Sequence, residues 1–451
     1  MKTSRLLRHQ DRISYFGLVV MGIILVLALE ILISATALKR SSWNFIIGFF
    51  VPFSVYCVIA VVIHRYQDFL VKKRYFTAIL MIVASIIQIR LLFTDVTLSD
   101  DIYRFFMEGM AFVNGINPYS IPPSDFPSSL QPPFQFLVNN PDVTSPYPPF
   151  ALLVFAVLYM ASLVASPVVF RVFFSFMYLA TIPLMAHLLS VFDKPSWRII
   201  LYAWNPLLHL ETGNGSHFDP LVVFLVMAAI FALSRENQSL GGAALLMATL
   251  LKYYPIFLIG VYWRQLGRKG RIIVLSGLFL YSLSIILTPS IISGLLIYAD
   301  RWYFNASLMW VLVESTGTFF GAKIVVGVIF LSIYLLIILK SEHSPHILNP
   351  VNGFFVLASF LLLQPVFHPW YLFWIFPFVL LVEPLDYSWI LLTGTIILSY
   401  HVYISFDAIG VWYESNIVRI IEFLPFYAGI IYVYREKLKR TYRTLSKPQG
   451  A

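Results

Sequence analysis

Hydrophobic residues run through this 451-residue chain in long, uninterrupted stretches. Residues 45–63, 272–298 and 351–382 contain no Asp, Glu, Lys or Arg, and the last of these is long enough for two spans. A helix needs about 20 apolar residues to cross a bilayer, and it satisfies its own backbone hydrogen bonds there. The pattern predicts an all-α, polytopic helical membrane protein with roughly 11–13 spans. No long polar segment divides it, so we expect a single transmembrane domain over residues 1–451.

The predicted spans are joined by short connections, with the long polar loop 94–146 as the exception. Two runs, 198–210 and 241–251, are too short to cross a bilayer. The second fits a half-depth helical hairpin with Lys252 near its tip. The coarse bounds of the remaining helices are 14–38, 43–63, 75–93, 147–165, 167–192, 218–234, 272–290, 322–339, 351–367, 370–383, 387–405 and 416–434.

Composition and charge support a membrane protein with a defined orientation. Hydrophobic residues make up 59% of the chain and charged residues 12%, far from a soluble domain. Basic residues concentrate in segments 1–12, 64–74, 264–271 and 435–447, which mark the cytoplasmic face rather than a nucleic-acid site. We therefore expect a multi-pass protein of the plasma (inner) membrane, with loop 94–146 facing the periplasm or exterior. If every apolar run crossed the membrane fully, successive connections would alternate between the two faces. This alternation fails between residues 147 and 218, so a segment there is expected to be re-entrant or bent.

Loop 94–146 has the character of a catalytic loop. It holds six acids against one base, Arg104. The pattern of residues 101–113 predicts an amphipathic helix that is capped by Asp100 or Asp101 and ends at Asn114 and Gly115. Its apolar face, formed by Phe105, Phe106, Phe112 and Val113, is expected to lie on the membrane surface. The Asp100–Asp101 pair suits a general base or a metal ligand, but also a plain helix cap. Glu108 follows Asp101 by two helical turns, so both carboxylates are expected on one face.

Three further polar clusters lie at or near membrane depth. The densest covers 204–220 and combines His, Glu, Asn and Asp, which suits a sugar site, a metal site or a hydrated loop. Lys252 before Tyr253 suits a phosphate contact or a lysine that reaches the interface. His368 beside Trp370 suits sugar stacking or an interfacial aromatic belt. Tyr147, before two prolines, suits a cavity rim or a rigid entry to a span. Cys57 is the chain's single cysteine and excludes an internal disulfide or a thiolate metal site.

Four of these motifs in order resemble a known family. Ser99–Phe105, Gly115–Tyr119, Trp204–Asp219 and His368–Leu372 look like segments of the bacterial polyprenyl-phosphate-mannose-dependent mannosyltransferases, which are multi-span GT-C glycosyltransferases. Lys252 through Pro255 also resembles a later motif of that family. The order and spacing agree across most of residues 75–375.

The resemblance implies that a hexose, expected to be mannose, passes from a polyprenyl phosphate to a glycan or glycolipid acceptor at the outer face. Asp101 or Asp100 is expected to be the general base, and Lys252 or Arg104 the cation for the leaving phosphate. We expect no cofactor, and we assign no metal-ligating residue. A lipid-linked glycan polymerase or ligase is one alternative, and a transporter or flippase, which would show repeated halves, is another. The substrate-binding residues expected from these motifs are Arg104, Glu108, Asn117, Tyr119, Tyr147, Glu211, Asn214, His217, Asp219, Lys252, Tyr253, His368 and Trp370.

Overall fold

A computed structural model describes residues 2–71, 75–162, 166–341 and 348–445, and these ranges are mostly helical, without a β-sheet. The predicted all-α fold is confirmed. Basic residues 72–74, part of the second basic segment, lie outside the described residues. The helices before the polar loop are α1 Lys2–Thr36, α2 Trp43–Gly48, α3 Phe50–Arg65, α4 Gln67–Leu70 and α5 Phe76–Leu92, and the loop contains α6 Asp101–Val113.

The remaining helices follow the polar loop. The first group is α7 Pro149–Met160, α8 Val168–Val191, α9 Ile199–Ala203, α10 Pro206–Gly213, α11 Asp219–Ser234, α12 Gln238–Leu251 and α13 Ile256–Val261. The second group is α14 Gly267–Leu287, α15 Ser293–Arg301, α16 Leu308–Thr316, α17 Phe319–Ser341, α18 Pro350–Leu363, α19 Leu372–Leu381, α20 Tyr387–Thr395, α21 Val402–Ile409 and α22 Asn416–Leu445.

Seven helical segments in the described ranges are long and apolar enough to cross a membrane by length and composition. Six shorter apolar helices of 10–17 residues accompany them. This identifies an integral membrane protein with several spans. The seven long segments are Tyr15–Thr36, Trp43–Arg65, Val168–Val191, Gly267–Leu287, Phe319–Lys340, Tyr387–Ile409 and Asn416–Lys437.

The irregular region between 198 and 263 is built from short helices, as its short apolar runs predict. Helices α9 and α10 have five and eight residues and are buried along their whole length. Asn205 separates them and caps α10 by accepting from the backbone amides of Leu207 and Leu208. Helix α12 ends at Leu251 and α13 starts at Ile256, which leaves Lys252 on an extended turn between them. A lysine at the end of a short, buried helix can face the interior instead of the solvent.

Helix α6 has the predicted bounds but not the predicted surroundings. Gly115 follows it with φ +75°, the left-handed conformation that ends a helix. Phe105 and Phe106 were expected to rest on the membrane, and this is wrong: both are buried against other helices. The approach to α7 is close, because a Cβ at Gly109 would lie 2.4 Å from the carbonyl oxygen of Phe155. The polar loop therefore begins with a helix that is packed tightly into the core.

Residues 289–316 contain structure that the hydrophobic pattern does not reveal. Helices α15 and α16 have nine residues each, too few for a span, and each follows an irregular stretch. Between them Phe304 forms a two-residue parallel bridge with Val366, with backbone bonds from Phe304 to Pro365 and from Phe367 to Phe304. This bridge fixes Phe304 beside His368 and so brings the segment to the site described next.

Candidate active site

A cavity of about 1140 Å³ opens where the polar loop meets the short helices of residues 199–261. Its lining comes from α6, from the segment that leads into α11, from the α12–α13 turn and from residues 298–304 and 368–374. Ten residues singled out from the sequence line it: Asp100, Asp101, Arg104, Tyr147, His217, Asp219, Lys252, Tyr253, His368 and Trp370. Glu108, Asn117, Tyr119, Glu211 and Asn214 lie behind this lining.

The two carboxylates at the start of α6 have different surroundings. The side-chain amide of Asn139 donates to both, at 2.8 Å to Asp100 Oδ1 and 2.6 Å to Asp101 Oδ1. Asp100 Oδ2 also pairs with the guanidinium of Arg40 at 3.0 Å. Asp100 is the N-cap residue of α6, yet its side chain makes no capping bond, and Ser99 Oγ accepts from the Asp101 amide instead. The two aspartates are therefore not present merely to cap the helix. Among the described residues, Asp100 is paired with an arginine, whereas Asp101 is not.

Asp101 is linked to a buried chain of polar groups. Its Oδ2 lies 3.7 Å from His217 Nε2, and His217 Nδ1 lies 3.3 Å from Glu211 Oε2. The Tyr400 hydroxyl donates to Glu211 Oε1 at 2.8 Å. A Cβ on Gly215 would come within 3.0 Å of both Glu211 Oε2 and His217 Nδ1, so glycine is needed for these two groups to meet. Glu211 thus fixes the imidazole and leaves Nε2 directed at Asp101.

Partial burial has a chemical consequence at Asp101, whose side chain is 24% exposed. Desolvation by the surrounding protein raises the pKa of the carboxyl above its ordinary value, and His217 opposes this rise. A carboxylate with a raised pKa is a stronger base, which suits it to accept a proton from a hydroxyl group.

Lys252 lines the same cavity, and its ammonium is surrounded by aromatic rings. Its ammonium pairs with Asp219 Oδ1 at 2.7 Å, and it lies 4.9–5.2 Å from the ring centres of Phe218, Tyr371 and Trp374. The indole N–H of Trp374 donates to the same carboxylate oxygen. An ammonium has three donors, so the ion pair with Asp219 leaves capacity for an anion.

Arg104 and Glu108 hold the polar loop together. The two form an ion pair at 2.8 Å with both side chains nearly fully buried, and Ser145 Oγ donates to Glu108 at 2.6 Å. The Arg104 guanidinium also donates to the backbone carbonyls of residues 139, 140 and 143. These bonds fix the segment that carries Asn139. We therefore favour Lys252 over Arg104 as the phosphate contact, since the donors of Arg104 are committed.

Asn214 anchors the entry to the loop. Its Oδ1 accepts from the amides of Thr97 and Leu98, and its Nδ2 donates to Thr94 Oγ1 and to the carbonyl of Asp95. Arg171 adds bonds from α8 to the carbonyls of Leu91, Thr94 and Gly213.

The turn after α6 is held in a similar way. Asn117 Oδ1 accepts from the Tyr119 amide, and the Tyr119 hydroxyl donates to the carbonyl of Tyr147. Asn117 and Tyr119 therefore support the cavity wall without lining it, whereas Tyr147 lines the cavity.

Sequence reasoning missed several residues that complete the site: Arg40, Asn139, Trp374, Tyr400 and Tyr403. Arg40 follows the first span and appears as an ordinary interfacial base, yet its guanidinium stacks on Tyr403 at 4.0 Å and pairs with Asp100. Asn139 sits in a proline-rich stretch with no periodic signal. Tyr400 stands in an apolar run, where a tyrosine gives no sign that it bonds to a glutamate 189 positions earlier.

Several buried polar atoms of the lining form no hydrogen bond within the described ranges. Buried polar groups are normally paired, so such a cluster points to a polar ligand. These atoms are His217 Nε2, Asp219 Oδ2, the hydroxyls of Tyr254 and Tyr303, Gln364 Nε2 and His368 Nδ1.

Comparison with known proteins gives one family match. The family described as alpha-(1->6)-mannopyranosyltransferase, N-terminal domain, matches residues 29–265, more than half of the chain. The matched range includes α6, the Glu211–His217 pair and Lys252. No curated protein and no solved structure matches the chain significantly.

Proposed function

Because this chain belongs to the alpha-(1->6)-mannopyranosyltransferase family, we propose that it moves mannose from a polyprenyl phosphate to a glycan or glycolipid acceptor at the outer membrane face. The family supports mannosyl transfer in a membrane, with a sugar donor and a glycan acceptor. The cavity supports the finer part of the proposal. Its central feature is a carboxylate and an ammonium, Asp101 and Lys252, that line one space at the start of the polar loop.

The reaction is a substitution at the anomeric carbon. The acceptor oxygen forms a new bond to that carbon, while the bond from the carbon to the phosphate oxygen breaks. Asp101 takes the acceptor's hydroxyl proton, and polyprenyl phosphate leaves with the electron pair of the broken bond. His217, fixed by Glu211, lies beside Asp101 Oδ2 and helps to hold that carboxylate in position for the proton transfer.

Lys252 is placed for the leaving group. As the phosphate departs, negative charge grows on its oxygens, and a fixed cation lowers the energy of that state. The aromatic rings around the ammonium exclude water and so strengthen its attraction for an anion. Asp219 and Trp374 hold the lysine in position, and two ammonium protons remain for phosphate oxygens.

The transporter alternative receives less support. A transporter is expected to show repeated halves with broken helices related by symmetry. Here the broken helices α9–α10 and α12–α13 follow each other closely, within residues 199–261, and the family match concerns a transferase. A lipid-linked polymerase or ligase differs in its donor, which the transfer assay resolves.

We expect purified protein to transfer radiolabelled mannose from polyprenyl-phosphate-mannose to an α-1,6-mannobiose glycoside. The product should gain one hexose by mass, because one glycosidic bond forms in each turnover. GDP-mannose is the matched control donor and should yield no product. Transfer from GDP-mannose, or only from a lipid diphosphate sugar, would contradict the proposed donor.

Sidedness gives an independent prediction, in a Cys57→Ala background that removes the native thiol. A cysteine introduced by Ser128→Cys should react with an impermeant maleimide added to intact cells, because the polar loop is expected outside. The Lys269→Cys variant, in the third basic segment, should react only after permeabilisation. Both positions are exposed, whereas the neighbouring Gly270 is packed against the backbone of Gln238 and makes a poor probe. The reverse labelling pattern would place the active site in the cytoplasm.

A further inference from the structure

A column of stacked rings runs along the cavity wall away from Asp101. The imidazole of His217 stacks on Trp370 at 3.8 Å, and Trp370 stacks on His368 at 4.1 Å. His368 then contacts Phe304 at 4.7 Å, and Phe304 meets Trp412 edge-on at 5.4 Å. All five rings line the cavity. The column starts at the proposed base and ends at a tryptophan that is 41% exposed.

A second set of contacts returns from Trp412 to the carboxylates. Trp412 packs on Tyr403 at 5.4 Å, and the guanidinium of Arg40 lies 4.0 Å above the Tyr403 ring. Arg40 pairs with Asp100, and Asn139 joins Asp100 to Asp101. The contacts thus form a closed loop of side chains, which we call the aromatic circuit: Asp101, His217, Trp370, His368, Phe304, Trp412, Tyr403, Arg40, Asp100 and Asn139. Lys252 is not part of it.

We propose that the aromatic circuit is the binding subsite for the acceptor glycan, which rests on the proposed function of the chain. The circuit contains the base but not the phosphate contact, so it suits the substrate whose hydroxyl must reach Asp101. At the exposed end of the circuit, the Trp412 ring can pack against the C–H face of a sugar. Both faces of Trp370 are covered by His217 and His368, so the inner part of the circuit offers ring edges and polar atoms to the sugar hydroxyls. The length of the column fits an acceptor of more than one sugar, with the reacting unit at Asp101 and the preceding units towards Trp412.

Polar groups along the circuit favour a glycan over the donor's lipid tail. His368 Nδ1 and the Tyr303 hydroxyl are buried and form no hydrogen bond in the described part of the chain. Arg301 and Asp407 line the same cavity with charged groups. An isoprenoid chain offers no donor or acceptor, and its binding would leave these groups desolvated at a cost. A glycan hydroxyl satisfies them.

The test uses Trp412→Ala, with Trp43→Ala as the matched control and Trp412→Phe as the conservative variant. Trp43 is similarly exposed, at 46% against 41% for Trp412, but does not line the cavity. With α-1,6-mannotriose as acceptor, Trp412→Ala should raise the acceptor KM about tenfold, the effect of losing a stacked aromatic contact. Trp412→Phe should recover most of the loss, and Trp43→Ala should match the wild type. An acceptor with one mannose should show a smaller rise, because it does not reach Trp412.

A binding measurement separates failure of this subsite from failure of the proposed reaction. Binding of mannotriose alone to the detergent-purified protein, followed by saturation-transfer NMR, should weaken about tenfold in Trp412→Ala and remain intact in Trp43→Ala. Equal KM and equal binding in the two variants would overturn the subsite. So would a loss of donor affinity with an unchanged acceptor KM, because that places the lipid donor on the circuit. Mannotriose binding without any transfer by the wild type would contradict the reaction and leave the subsite standing.

Discussion

Asp101→Asn is expected to lower the turnover number of mannosyl transfer by about 10²–10⁴, the usual contribution of a general base. Asparagine has nearly the same shape and still accepts a hydrogen bond from Asn139, so the fold should persist. Asp100→Asn should have a smaller effect, because Asp100 is engaged by Arg40 and does not face His217. The measurement is the initial rate at saturating donor and acceptor.

Asp125→Asn is the matched control, because Asp125 is an exposed acid of the same loop that does not line the cavity. It should retain wild-type turnover. Full turnover in both Asp100→Asn and Asp101→Asn would show that neither carboxylate is the general base.

The dependence of activity on pH tests the same carboxylate, Asp101, in a second way. A base works in its deprotonated form and the pKa of Asp101 is raised, so activity should fall with decreasing pH at a value above the ordinary aspartate pKa of about 3.9.

Lys252→Met is expected to weaken donor binding by about 2–5 kcal/mol, the range for breaking a desolvated charge pair. Lys252→Arg should recover only part of it, because a planar guanidinium does not replace a compact ammonium. The measurement is the affinity for polyprenyl-phosphate-mannose in detergent. Arg104→Met serves as a comparison. It breaks the buried ion pair with Glu108, so we expect it to destabilise the loop and not only to weaken donor binding.

The ion pair with Asp219 requires a control, because Lys252→Met leaves a fully buried carboxylate without its cation. The double variant Lys252→Met with Asp219→Asn removes that unpaired charge and should restore thermal stability. Donor affinity should remain low in the double variant if Lys252 binds the phosphate. Recovery of affinity together with stability would show that the lysine serves only to neutralise Asp219.

The sequence predicts features that depend on local pattern and misses those that depend on distant packing. The bounds of α6 follow from an amphipathic period, a polar start and a glycine end, and the structure has them unchanged. The burial of Phe105 was not predictable in the same way, because an apolar helix face fits a lipid surface as well as a protein neighbour. Only Gly109, which has no Cβ, is compatible with the close approach of another helix there.

The candidate site shows the same division. Asp101 stands out in the acid pair near the start of the polar loop, and His217, Asp219 and Lys252 stand out because charged residues are costly near membrane depth. The structure brings all four to one cavity. Arg40, Tyr400 and Trp412 do not stand out, since arginines, tyrosines and tryptophans are common at bilayer interfaces. Their part in the site depends on contacts with residues more than 50 positions away, which a local pattern does not contain.

The anchoring of the polar loop by Asn214 has a consequence for how the enzyme matures. Every hydrogen bond of the Asn214 side-chain amide goes to residues 94–98, which lead into α6, and Asn214 itself follows α10. The approach therefore has no fixed path until α10 has docked beside α5 and α8, which happens only after the loop itself has been translated. We expect the nascent chain to carry an exposed acidic loop through much of its insertion. Activity then appears only once the later helices have assembled, so an incompletely inserted protein is also a catalytically silent one.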